Sequence, residues 1–135
     1  GTFNVSIHVG GPSGSEFRPV DALVATGASH TILSRSLLTA LGVVVIEQVA
    51  FRLADERTVE HDVGEARIRL DGRERTTLVI FGPDDAEPLL GATTLQLFNM
   101  AVVTIGERLF SVPGLLKRSI PPEMHDAAKL ANSTT

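Results

Sequence analysis

Two alternating runs joined by an Asp-Gly pair are the feature that most constrains the fold. Residues 59–70, VEHDVGEARIRL, and residues 73–81, RERTTLVIF, alternate apolar and polar side chains as half-buried strands do. Asp71-Gly72 lies between them. This dipeptide is typical of tight hairpin turns, because both central residues of such a turn need positive φ. The sequence therefore predicts an antiparallel hairpin near the middle of the chain.

Other strand-like runs occur at short, regular spacing along the chain. Many short strands with turn signals between them favour a mostly β fold, a small closed barrel or sandwich. The 135 residues fit one domain with a modest core. We expect this domain to span residues 1–118, and residues 119–135 to form a C-terminal tail, helical or disordered. The further predicted strands are 3–9, 17–24, 43–54 and a last hairpin over 100–113 turning at Gly106-Glu107.

One or two short helices and one irregularity complete the predicted elements. Gly64 interrupts an alternating run, which predicts a β-bulge there. Small polar residues before short apolar-periodic runs indicate helix starts, and glycine after such a run indicates its end. The predicted helices cover residues 35–41, capped by Ser34 and ended by Gly42, and residues 92–98, capped by Thr93 or Thr94.

Composition excludes several classes of function. The formal net charge is −4, whereas nucleic-acid-binding domains are usually clearly basic, so we expect no nucleic-acid partner. The absence of cysteine excludes disulfides, thiolate zinc sites and a cysteine nucleophile. No apolar run approaches the roughly 20 residues that span a bilayer, so no membrane segment is expected in this sequence. We favour a cytoplasmic location over a secreted one, and anchoring by a segment outside this sequence stays open.

The histidines do not form a recognisable metal motif. His8, His30, His61 and His125 lack the short spacing of paired ligands, so each is interpreted as a surface or loop residue. His30 carries more weight than the others because it adjoins a turn of small residues. We expect no metal site.

That turn lies in residues 20–31, VDALVATGASHT, where an apolar strand runs into small residues. Thr26 offers a hydroxyl, and Gly27 permits close backbone approach. The stretch resembles the active-site loop of the retropepsin-like aspartic proteases. Their signature is two apolar residues followed by Asp, Thr or Ser, Gly, Ala, and Ser or Thr. Only the Asp differs, because Ala25 stands in its place.

Two further elements of that family have counterparts in the same order. PLLGATTLQLF resembles the second family motif, an apolar-apolar-Gly turn before a short helix, through Leu89, Leu90 and Gly91. Residues 51–63, with a tip near Asp55-Glu56-Arg57, occupy the place of the family's flap hairpin. The resemblance covers about residues 3–115, leaves the tail uncovered, and is stronger to small bacterial single-domain members than to viral ones.

The resemblance implies a homodimeric aspartic endopeptidase that acts on peptide or protein substrates without metal or cofactor. The family's chemistry needs two carboxylates within about 3 Å that share one proton. This chain carries one such motif, so the resemblance implies a C2 dimer with the site on its axis.

Ala25 then leaves the dimer without a catalytic carboxylate, so we predict that the chain is inactive. Asp21 cannot substitute, because four strand residues span about 13 Å. Asp55 would lie on the wrong side of the substrate. Every neighbouring position keeps its motif identity, so an introduced Asp-to-Ala substitution is favoured over a natural pseudoenzyme. A dimeric peptide-binding module that was never catalytic, and an unrelated small β-barrel binding domain, stay open as alternatives.

The resemblance also implies roles for individual residues. Position 25 is the catalytic locus, Thr26 would hydrogen-bond across the dimer, and Gly27 would contact the substrate backbone. We expect apolar residues to be preferred at the cut. The residues implied in substrate binding are Gly27, Ala28, Ser29, Arg52, Leu53, Ala54, Asp55 and Leu90.

Overall fold

The computed structural model describes residues 2–25, 27–103 and 108–111. Thr26, the predicted turn at Gly106-Glu107 and the predicted tail at 119–135 lie outside the described residues. Within them, the chain forms nine strands and two short helices, which confirms the mostly β fold. The elements are β1 (Thr2–Gly10), β2 (Arg18–Ala25), β3 (Thr31–Ser34), α1 (Arg35–Ala40), β4 (Glu47–Arg52), β5 (Thr58–Leu70), β6 (Arg73–Gly82), β7 (Leu89–Leu90), α2 (Ala92–Leu97), β8 (Met100–Val103) and β9 (Arg108–Ser111).

Seven of the strands form one mixed sheet. Its order is β1-β2-β7-β3-β6-β5-β4, and β1 also pairs with β5. The strand pairings therefore run in a closed circuit through six strands, with β4 outside it as the partner of β5. β8 and β9 form a separate antiparallel pair, as the predicted last hairpin requires.

The predicted central hairpin is confirmed. β5 and β6 pair in register from Val63–Ile80 to Leu70–Arg73. Asp71 and Gly72 have φ of 54° and 72°, the left-handed values that a tight hairpin turn needs. The first predicted hairpin is also present, because β1 and β2 pair antiparallel.

Helix α1 has the predicted cap. The Ser34 hydroxyl accepts a hydrogen bond from the Leu37 N–H at 3.2 Å, and Gly42 follows the helix with φ of 83°. Helix α2 is present too, but its predicted threonine cap is wrong. Gly91 is the N-cap, and no side chain caps the helix. Backbone carbonyls from residues 28 and 29 accept the first helical N–H groups instead.

Three other local predictions need correction. β3 is missing from the sequence prediction, because four residues are too short to show periodicity. Residues 43–46 are not in a strand, and β4 begins only at Glu47. Gly64 is not a bulge, since its register with Val79 is continuous. A Cβ there would lie 2.6 Å from the Val44 carbonyl oxygen, so close packing accounts for the glycine.

The hydrophobic core lies inside the closed circuit of strands. Val24 of β2, Leu33 of β3 and Leu90 of β7 are completely buried. Leu38 of α1 and Leu95 of α2 join the same cluster. Burial of each such side chain contributes about 1.5–3 kcal/mol. The core therefore fixes β2, the strand that ends at position 25, together with β3 and β7.

Two ion-paired carboxylates predict a loss of stability in acid. Hydrogen bonds from Gln48 and Arg35 lower the pKa of Asp62, and hydrogen bonds from Arg69 and Arg67 lower the pKa of Glu74. A carboxyl group with a lowered folded-state pKa stabilises the fold above its unfolded pKa, and the contribution is lost as the pH falls through the folded value. We expect the Tm to fall as the pH drops below about 4.

Thermal melts of the Asp62→Asn, Glu74→Gln double variant provide the control. Its Tm should fall less between neutral and acidic pH than that of the parent. Equal slopes for the two proteins would contradict this account.

Candidate functional site

Position 25 is the last residue of β2. Ala25 pairs with Thr2 of β1 and is partly exposed, while the preceding Val24 is completely buried. The Ala28 N–H donates to the Ala25 carbonyl at 3.1 Å and closes a turn over the next residues. Gly27 lies exposed in this turn. The core thus holds a side chain at position 25 at the rim of the domain, beside an accessible glycine.

β7 and the turn that follows it support this loop. Leu23 and Val24 pair in parallel with Leu89 and Leu90. Beyond the strands, the Ala92 N–H donates to the Ala28 carbonyl at 2.8 Å, and the Thr93 N–H donates to the Ser29 carbonyl at 2.9 Å. The start of α2 therefore positions the backbone of residues 28 and 29.

Gly91 packs directly against the peptide unit of His30. A Cβ built at Gly91 would lie 2.4 Å from the His30 carbonyl carbon and 2.5 Å from its oxygen. Gly91 has φ of −94°, so its backbone does not itself require glycine. The absence of a side chain is needed because the two turns touch.

Three buried threonine hydroxyls link the supporting elements. Thr31 Oγ1 accepts from the Gly91 N–H at 3.1 Å and lies 2.6 Å from Thr94 Oγ1. Thr94 Oγ1 lies 3.0 Å from Thr77 Oγ1, whose hydroxyl donates to the Leu78 carbonyl at 3.4 Å. Since each hydroxyl donates once, the chain of bonds runs from Gly91 through Thr31, Thr94 and Thr77.

Removal of the central hydroxyl of this network should destabilise the domain. Thr94→Val keeps the shape but leaves buried hydroxyls of Thr31 and Thr77 without their shared partner. We expect a loss of about 1–3 kcal/mol in the free energy of unfolding, measured by urea denaturation. Thr93→Val, at the exposed neighbouring position, is the matched control and should change stability by less than about 0.5 kcal/mol. Equal effects of the two substitutions would contradict the role of the network.

The predicted flap hairpin is present as β4 and β5. Its turn is closed by Leu53 N–H donating to the Arg57 carbonyl at 2.8 Å, and Glu56 has φ of 70°. Asp55 forms an ion pair with Arg57 at 2.6 Å. The four outer residues implied in substrate binding are all exposed: Arg52, Leu53, Ala54 and Asp55.

A pocket of about 270 Å³ lies between the loop after position 25 and the β4–β5 hairpin. Two of the residues that line the pocket are partly buried histidines, and both contact the ring of Phe51. The His30 and Phe51 ring centroids are 5.0 Å apart, and those of Phe51 and His61 are 5.4 Å apart. The remaining lining residues are Ala28, Ser29, Ile32 and Ile80.

Sequence reasoning missed Phe51 and His61 as members of this site. The signal was present in the strand period, because Val49 pairs with His61 and Phe51 pairs with Val59. Phe51 and His61 therefore share one face of the hairpin. The sequence could not predict that this face of the hairpin packs beside Ser29 and His30.

The structure brings four of the expected site residues together in one segment and buries a fifth, Leu90. Ala25, Gly27, Ala28 and Ser29 form one partly exposed segment. Thr26 itself lies outside the described residues, so its expected role stays a prediction. Leu90 lies beneath that loop with 0% of its surface exposed.

Asp21, the acid nearest to position 25 along β2, has another partner. Asp21 is exposed and accepts from the Asn4 side-chain amide at 3.0 Å. In the described part of the chain, no group of three His, Cys, Asp or Glu side chains is placed to hold a metal ion. No helix among residues 2–25, 27–103 and 108–111 is long and apolar enough to cross a membrane.

Comparisons with known proteins agree with this geometry. The family model described as aspartyl protease matches residues 5–94. The EIAV protease complexed with the inhibitor HBY-793 has a TM-score of 0.50 and 19% identity, over 82% of this chain and 93% of its own. The simian foamy virus (mac) protease has a TM-score of 0.50 and 17% identity, over 87% of this chain and 100% of its own. A comparison with curated protein sequences finds no significant match.

Proposed function

Because the chain belongs to the retropepsin-like aspartyl protease family, we propose that it derives from an aspartic endopeptidase acting as a homodimer and that Ala25 makes this copy inactive. The observation that carries the proposal is the placement of position 25. It ends a core-anchored strand, and the glycine turn at Gly91 holds the following loop. The side chain that would perform proton transfer is the one that Ala25 lacks.

The homodimer is proposed because the sequence has one copy of the loop motif. Two carboxylates at position 25, one from each subunit, would approach to about 3 Å and share a proton. The ionised carboxylate would take a proton from water as that water attacks the peptide carbonyl. The protonated carboxyl group would donate to the developing oxyanion. The methyl group of Ala25 can do neither.

Substrate binding in this proposal involves two surfaces. Gly27, Ala28 and Ser29 form the partly exposed loop and would contact the peptide backbone. The outer end of the β4–β5 hairpin, residues 52–55, would close over the peptide and exclude water. Leu90 would not contact the peptide, since it has no exposed surface, and would instead support the loop by packing in the core.

One observation favours a second candidate function. The loop keeps its glycine turn, its supporting hydrogen bonds and its pocket while the carboxylate is absent. A dimeric module that binds peptides without cleaving them would have these features. The codon at position 25 in the source gene separates an introduced alanine from a natural one.

The experiment that tests the proposed function compares the protein with its Ala25→Asp variant. Both are incubated with a diverse peptide library between about pH 4 and pH 7, and products are identified by mass spectrometry. We expect cleavage by the variant alone. Cleavage by neither protein, with the variant folded and dimeric, would overturn the peptidase proposal in favour of the binding module.

A further inference from the structure

The pocket beside Ser29 carries two imidazoles, and none of the described residues that line it is acidic. We propose that this pocket binds an acidic side chain, Asp or Glu, of the peptide substrate. The inference rests on the proposed function, because it assigns a specificity to the same cleft. It adds a charged requirement at one position to the apolar preference that the sequence predicts at the cut.

Phe51 holds the two imidazoles at the pocket. Both rings contact its ring, with centroid distances of 5.0 Å for His30 and 5.4 Å for His61. The contacts orient the imidazoles, and among the described residues no hydrogen bond occupies their ring nitrogens. The Ser29 hydroxyl is a third polar group among the lining residues. Three side-chain donors around one small pocket suit a carboxylate acceptor.

The rest of the pocket suits the aliphatic part of an acidic side chain. Ile32, Ile80 and Ala28 supply apolar walls. The volume of about 270 Å³ is ample for a Glu side chain. An apolar pocket with a few placed polar groups is the usual form of a specific subsite.

Among the described residues, the acidic side chains next to His61 in the chain lie outside the pocket lining, although Asp62 interacts electrostatically with His61. Asp62 follows His61 and therefore points to the other face of β5, where Arg35 and Gln48 bind it at 2.6 and 2.9 Å. Glu60 alternates to that same other face. Glu47 shares the face of Phe51 but lies four residues earlier, about 13 Å along the strand.

An imidazole and a carboxylate are complementary hydrogen-bonding partners, because the imidazole donates through its N–H and the carboxylate only accepts. A hydrogen bond to an ionised carboxylate is stronger than a bond between two neutral groups.

The test is a specificity ratio in the Ala25→Asp background. After the library has located the cut, kcat/KM is measured for peptides that differ only by Glu or Gln at the position enriched in acids. We expect the Glu peptide to be favoured by about tenfold or more. His30→Gln with His61→Gln should reduce the ratio to near unity. His8→Gln, at an exposed position of β1, is the matched control and should leave the ratio unchanged.

Single variants keep the test decisive if the double variant folds poorly. His30→Gln alone should lower the ratio, and His30→Arg, which supplies N–H donors and a positive charge, should preserve it. Cleavage with no acidic enrichment, or with a Glu preference that the histidine substitutions leave intact, would overturn this inference and leave the proposed function standing. Absence of all cleavage by a folded, dimeric Ala25→Asp variant would overturn both.

Discussion

Replacement of Ala25 by Asp is expected to raise the rate of peptide hydrolysis by at least about 10⁴-fold. In the proposed homodimer, the substitution would supply both the general base and the general acid, because each subunit would contribute one carboxyl group. It needs no other change, since the loop after position 25 is already held by the hydrogen bonds from Ala92 and Thr93. The side chain at position 25 is partly exposed in the single chain, so the Asp side chain has room there.

The pH dependence of the restored activity follows from the pairing of the carboxyl groups. Two like charges at about 3 Å cannot both ionise easily, so the pair titrates in two separated steps. Activity requires the singly protonated pair and should therefore show a bell-shaped profile in the acidic range. Ala25→Asn is the matched control, because it has the shape of Asp but no ionisable group. Activity of the Asn variant equal to that of the Asp variant would exclude this chemistry.

Substitution of Gly91 by Ala is expected to cause the largest loss of stability, about 3 kcal/mol or more in the free energy of unfolding. The added Cβ would lie 2.4 Å from the carbonyl carbon of His30, and backbone atoms cannot rotate away as a side chain can. Relief of the contact would separate the start of α2 from the loop at residues 28–30. The network at Thr31 would lose its bond from the Gly91 N–H as well.

Denaturant unfolding of Gly91→Ala beside Gly72→Asn provides the measurement and its control. Gly72 has open space around its Cβ position and a left-handed φ of 72°, which Asn tolerates. We expect the control to lose about 1 kcal/mol or less. Equal losses for the two variants would show that the contact between Gly91 and His30 does not hold the loop.

The elements with strong local signals could be predicted from the sequence. The hairpin at Asp71-Gly72 follows from a turn that tolerates few other residues, and Ser34 caps α1 because its hydroxyl reaches a free N–H. Thr94 shows where local signals fail. It looks like a cap, but tertiary packing buries it against Thr31 and Thr77, and carbonyls of the site loop take over the capping.

The candidate site divides in the same way. The loop from Ala25 to Ser29 could be identified because its residues are contiguous and resemble a family motif. The pocket could not, since His30 and His61 are far apart in the chain and meet only on Phe51. Their proximity depends on how the β4–β5 hairpin folds over the sheet. The alternation of side chains along a strand shows on which face of the strand a residue lies. It does not show which other part of the protein packs against that face.

The measurement that tests the central claim most directly is hydrolysis of a cleaved peptide by the Ala25→Asp variant as increasing amounts of the Ala25 protein are mixed in. If each site takes one carboxylate from each of two subunits, the Ala25 protein alone is inactive. The rate then falls with the square of the Asp-bearing fraction once subunits have exchanged at constant total concentration. A rate that falls only in proportion to that fraction would contradict the shared site, and equal rates for the two unmixed proteins would contradict the role of position 25.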